Sequence, residues 1–90
     1  MKLERSVTIV NKLGLHARAA TKLVQLANQH SAEILLIQDD NQAPANSVLA
    51  LMMLESSQGK TVDIVCSGDD AQSAMDAVVK LIENKFDEDE

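Results

Sequence analysis

From Leu3 to Val10, the apolar residues Leu3, Val7 and Ile9 alternate with Glu4, Ser6 and Thr8. This is the period-two pattern of a strand with one wet face. Gly14 marks a break. Beyond it Ala20, Leu23, Val24 and Ala27 recur at spacings of three and four, opposite Thr21, Lys22 and Gln25, which predicts a helix from Ala17 to Asn28. Ile34 to Ile37 is a short aliphatic run, and Asp39, Asp40 and Asn41 behind it carry turn chemistry, so a hairpin is expected. Its return strand, Gln42 to Ala45, contains Pro44, which has no N–H for a ladder bond and belongs on a sheet edge.

Asn46 and Ser47 are good helix N-caps, and the apolar run Val48 to Leu54 behind them predicts a short second helix. Gln58 and Gly59 turn the chain into a last strand, Thr61 to Ser67, where Val62, Ile64 and Cys66 face inward and Val65 is the one apolar residue on the outer face. A third helix starts after Gly68, with Asp69 as cap and Gln72 as its capping-box partner; Ala71, Ala74, Met75, Val78, Ile82 and Phe86 line one face. The order βαββαβα predicts an α+β open-faced β-sandwich, a four-stranded antiparallel sheet covered on one face by three helices.

Ninety residues suffice for one domain, so 1–90 is read as a single unit. The acidic stretch 87–90 reads as a tail that mutual repulsion keeps solvated and mobile. With 46% apolar and 24% charged residues, the chain has the composition of a globular protein. A net charge of −6 and a single aromatic residue, Phe86, argue against nucleic acid and against anionic membrane surfaces. Cys66 is the only cysteine, so no internal disulfide can form, which fits a reducing compartment. The first residues lack a signal-peptide core, and the longest apolar run is far shorter than a membrane span. A cytoplasmic protein with a soluble partner is expected.

Chemistry concentrates at Gly14, Leu15, His16, Ala17 and Arg18, where the first strand gives way to the first helix. The leading N–H groups of that helix, those of Ala17 and Arg18 among them, have no internal partner and form a ready anion site. The positive helix end favours a neutral, nucleophilic His16, and Arg18 brings a planar fork that can neutralise phosphoryl oxygens. Gly14 lets the chain bend tightly beforehand. Alone, the triplet more often means a capping histidine beside a solvent-facing arginine. Its position is what argues for an anion, because no carboxylate lies between Asn11 and Asn28 to offset the positive charge. His30 reads as a structural residue at the end of the first helix, and Cys66 as an inert core thiol. No metal-ligand spacing, nucleotide loop or hydrolase motif is present, so no metal or cofactor is expected.

The segment Asn11 to Arg18, together with Ala45, Asn46, Ser47 and Gly68, Asp69, Asp70, resembles the histidine-containing phosphocarrier family of the bacterial phosphotransferase system over nearly the whole chain. Within that family it looks most like the nitrogen-related branch, on Asn46 and Ser47 followed by Leu49 to Leu54 and on the acidic end Phe86 to Glu90. The resemblance implies that enzyme I, charged from phosphoenolpyruvate, phosphorylates His16 on Nδ1, that Arg18 is the active-site arginine, and that the group passes to an enzyme IIA. It also places Ser47 where some relatives carry a regulatory phosphate, although a plain N-cap is the simpler role. Val48, Leu49 and Met52 fall on the helix that relatives use for docking. Ala19 departs from the pattern, since most relatives have proline there.

The expected protein is thus a monomeric phosphoryl carrier rather than a stand-alone enzyme, working in the nitrogen-related branch or as the sugar-transport carrier. Two other readings stand beside it: a binding module controlled by the phosphorylation state of His16, and a ferredoxin-like small-ligand sensor, which the topology also allows.

Overall fold

Alternating side chains along the strands decide which face of the sheet needs cover, and the helices supply it on that face alone. The computed structural model describes residues Met1–Glu90. In chain order the elements are β1 (Lys2–Thr8), α1 (Ala17–Ala27), β2 (Glu33–Gln38), β3 (Asn41–Pro44), α2 (Val48–Met53), β4 (Thr61–Ser67) and α3 (Ala71–Glu83), followed by a short 3-10 turn at Lys85–Asp87. The four strands form one sheet in the order β1-β4-β2-β3, every pair antiparallel. The α+β open-faced sandwich expected from the sequence is the observed fold.

Register places the inward residues in rows. Cys66 lies between Leu3 and Ile34, and Ile64 beside Leu36, with the exposed Arg5 as its other cross-strand partner. With Leu23 of α1, Leu51 of α2 and Val78 and Ile82 of α3, these rows build one continuous core in which Leu23, Leu36, Ile64 and Ile82 are fully buried. Burying each such side chain contributes about 1.5–3 kcal/mol. On the uncovered face Val65 is nonetheless only 5% exposed, flanked by its cross-strand partners Glu4 and Leu35. Pro44 ends β3 on the sheet edge, as its missing N–H requires.

Two local expectations need correction. The residue before α3 is Asp70, not Asp69, and no capping box forms there. The Asp70 carboxylate instead accepts hydrogen bonds from the backbone N–H groups of Ser31 (2.9 Å) and Ala32 (2.7 Å), while Gln72 donates to Asp76. These bonds tie the loop before β2 to the start of α3. The bond from Ser31 leads the influences that hold the Asp70 carboxyl below its ordinary range. Phe86 is fully buried, but not on a continuation of α3. That helix ends at Glu83, and Lys85, Phe86 and Asp87 take left-handed backbone at φ 59°, 53° and 64°. No helix is long and apolar enough to cross a membrane.

Burial of Phe86 offsets the backbone strain of that turn, about 1–3 kcal/mol per residue held in such a region. Phe86→Ala removes the anchor and leaves a cavity, so global stability falls by roughly 3–5 kcal/mol. Chemical denaturation of the two proteins measures the difference; a change near zero contradicts the anchoring role.

Candidate functional site

After β1 the chain must turn sharply to start α1 over the sheet. Gly14 makes that turn at φ +66°, and a Cβ there would sit 2.9 Å from the Ser57 Cα and closer still to the Ser56 carbonyl. The next N–H, of Leu15, donates to that carbonyl at 2.8 Å, and the Leu15 side chain plugs into the core. His16 is then delivered in extended conformation as the N-cap of α1. Its own carbonyl receives the first helical bond, from Ala20 N–H at 2.8 Å, and its ring makes no capping bond. The backbone N–H groups of Ala17, Arg18 and Ala19 therefore find no acceptor within the protein, and the first turn of α1 holds no acidic residue. That is a positive helix end open to an anion. Ala19 is buried and has lost no hydrogen bond that proline would remove.

The acidic stretch is solvated at Asp87, Asp89 and Glu90, as expected, but at Glu88 it is tied down. The left-handed turn at Lys85–Asp87 swings Glu88 back across the molecule, and its Oε2 lies 2.5 Å from His16 Nε2. The other oxygen, Oε1, accepts a hydrogen bond from Asn11 Nδ2 at 3.1 Å, and Arg18 Nε stands 3.9 Å from Oε2. Asn11 also donates to the Gly14 carbonyl at 2.8 Å from a fully buried position, so one side chain braces both the turn and the carboxylate. The flanking acids find separate cations: Asp87 reaches Lys22 at 3.4 Å, Glu90 reaches Lys12 at 3.4 Å, and the Lys12 N–H donates to the Glu90 carbonyl. Three of the four acids thus each lie beside a basic side chain. Burial alone would push the Glu88 carboxyl up, but hydrogen bonds from His16 and Asn11, with the charges of His16 and Arg18, hold it below its ordinary value.

His16 and Arg18 are thus brought together at the helix tip as expected. The His16 side chain is 24% exposed and Glu88 11%, while Arg18 is 67% exposed and extends into solvent. The demand for negative charge, read from the sequence as unmet, is met at the His16 ring by Glu88, while the N–H groups of the helix tip keep no acceptor. Ser47 is the N-cap of α2, its Oγ accepting from Ala50 N–H at 3.1 Å. Val48 is half-buried, whereas Leu49 and Met52 are exposed, and Met52 lines a shallow cleft with Leu13 and His16. Exposed Leu13 and Met53 extend this apolar surface and were not singled out from the sequence. His30 bonds the Leu26 carbonyl at 3.1 Å near the end of α1. Cys66 is fully buried, and burial, then the Asp70 charge, push its thiol up, which makes it a poor nucleophile. No group of three or more His, Cys, Asp or Glu side chains is placed to hold a metal ion.

Comparison with known proteins agrees with this geometry. Residues 3–84 match the family described as PTS HPr component phosphorylation site. The chain is 56% identical over 87 residues to the phosphocarrier protein NPr of Shewanella violacea, covering 97% of this chain and 96% of that one. It is 43% identical over 90 residues to phosphocarrier protein NPr of Escherichia coli K12, covering 99% and 100%. Among solved structures, HPr-C-His from Thermoanaerobacter tengcongensis superposes with a TM-score of 0.92 at 41% identity, covering 98% of this chain and 99% of that one.

The lowered Glu88 carboxyl fixes the sign of a pH effect. The contact stabilises the fold above the unfolded glutamate value of about 4.3, and that contribution disappears as pH falls through the lower folded value. Glu88→Gln therefore flattens the acid limb of the stability curve. In the wild type the Asn11 side-chain amide resonances titrate with a midpoint below the ordinary glutamate range. A midpoint at or above that range contradicts the contact.

Proposed function

The chain belongs to the histidine-containing phosphocarrier family of the phosphotransferase system, and on that footing we propose that it carries a phosphoryl group on His16, received from enzyme I and delivered to an enzyme IIA. The observation that carries this reading is the open tip of α1. A histidine caps it, three N–H groups lack acceptors, and a permanently charged guanidinium stands two residues on. A ring nitrogen attacks the phosphorus of the donor, the N–H groups of Ala17 and Arg18 and the Arg18 fork take up the charge on the phosphoryl oxygens, and each partner completes the site.

Leu13, Leu49 and Met52, with half-buried Val48, supply the docking surface beside His16. An apolar patch of this kind suits brief protein contacts, which a carrier needs because it must leave each partner quickly. Similarity to phosphocarriers of the NPr type supports partners from the nitrogen-related branch. We take the protein to act as a single domain and a monomer in the cytoplasm, where its lone thiol stays reduced. Ser47 serves as a helix cap in this reading.

Incubation with enzyme I and phosphoenolpyruvate yields an acid-labile phosphoryl adduct that His16→Ala does not form. Arg18→Ala lowers the rate of uptake by roughly 10²-fold, the scale of losing one charge-stabilising donor, and Arg18→Lys recovers part of it. Transfer from a nitrogen-branch enzyme I is faster than from a sugar-branch one. An unchanged adduct in His16→Ala moves the site elsewhere.

A further inference from the structure

A neutral imidazole has one proton and two places to keep it, and the hydrogen bond made by one nitrogen decides which lone pair is left for chemistry. In this protein Nε2 of His16 lies 2.5 Å from Glu88 Oε2, while Nδ1 has no partner. A carboxylate accepts and does not donate, so the short contact puts a proton on Nε2, and in the neutral ring Nδ1 is then the bare nitrogen. The placement of Glu88 is built into the fold. Its second oxygen is held by Asn11, which is itself fully buried. The left-handed turn at Lys85–Asp87, strained but anchored by buried Phe86, aims it at the ring from 72 residues away.

We propose that Glu88 is a positioning residue for phosphoryl transfer: by accepting from Nε2–H it fixes the tautomer and the orientation of His16, presents Nδ1 to the phosphoryl donor, and stabilises the positive charge the ring acquires. This rests on His16 being the phosphoryl acceptor. In the forward step the Nδ1 lone pair forms the N–P bond as the donor's bond to phosphorus breaks, and the electron pair of that bond stays with the donor. The proton remains on Nε2, so the phosphorylated ring is a cation paired with the Glu88 anion. In the onward step a lone pair of the accepting partner forms its bond to phosphorus as the N–P bond breaks, the N–P electron pair returns to Nδ1, and the ring is neutral again.

Pairing with Glu88 opposes the positive end of α1, which by itself disfavours a cationic ring. The two nitrogens point to different sides of the imidazole, so the carboxylate sits on the edge away from the incoming phosphoryl group. Arg18 Nε, 3.9 Å from the carboxylate, offsets part of its negative charge.

The test combines ring spectroscopy with kinetics. Nitrogen-15 NMR of His16 in the wild type reads a single tautomer, protonated at Nε2, with a slowly exchanging Nε2–H resonance. In Glu88→Ala that resonance is lost, both tautomers are populated, and phosphorylation by enzyme I and phosphoenolpyruvate slows by roughly tenfold, about 1.4 kcal/mol of transition-state stabilisation. Glu88→Gln keeps an oxygen acceptor, so it preserves the tautomer and recovers part of the rate. Far-ultraviolet circular dichroism confirms that each variant is folded. An alanine variant with wild-type tautomer and wild-type rate overturns the positioning role and leaves the carrier reading standing. A wild-type protein that takes up no phosphate overturns both.

Discussion

The backbone N–H groups that open α1 have no acceptor within the protein, those of Ala17 and Arg18 on exposed residues, and most of what is distinctive in the structure answers that fact. A helix end of this kind attracts negative charge and resists a cationic histidine. It also cannot be moved. Gly14, whose turn no side chain could share, and the Leu15 N–H bonded to the Ser56 carbonyl lock its approach, and Leu15 pins the loop to the core. The sheet and its covering helices serve as the rigid mount for one charged tip.

Two anions contend for the surroundings of that tip in the proposed cycle, one resident and one transferred. The resident carboxylate is tied to Nε2 and Asn11, while the three N–H groups and much of the exposed Arg18 side chain stay unclaimed. The geometry therefore divides the work: one edge of the imidazole is held by the protein and the other is offered to partners. Leu13 and Met52 line a shallow cleft with His16, and exposed Leu49 lies on the same short helix as Met52.

Local chemistry made much of this readable from the sequence. Alternation in β1 and β4 and the three-four spacing of α1 carry their own phase information, and Pro44 announces an edge because it lacks a donor. His16 could be placed at a helix tip because a glycine break precedes an amphipathic run. Glu88 could not be placed there. Four adjacent acids read as repelling one another, and nothing local reveals that Lys12, His16 and Lys22, far back in the chain, will each take one. The turn that carries Glu88 home is built on Lys85, Phe86 and Asp87, without the glycine that usually marks left-handed backbone. Asp69 and Asp70 posed a smaller version of the same problem, since only the fold shows that the second of them reaches the loop before β2.

The sheet has two open margins, and neither invites a second copy of the chain to extend it. β3 is four residues long and closes on a residue with no amide hydrogen. β1 carries Lys2, Glu4 and Arg5, and Arg5 shares the phase of Leu3 and Val7 yet stays exposed, a charge that a strand laid alongside would have to bury. A shuttle that meets its partners by diffusion has to remain dispersed at whatever abundance the cell needs. Here the borders of the sheet disfavour pairing of one strand edge with another.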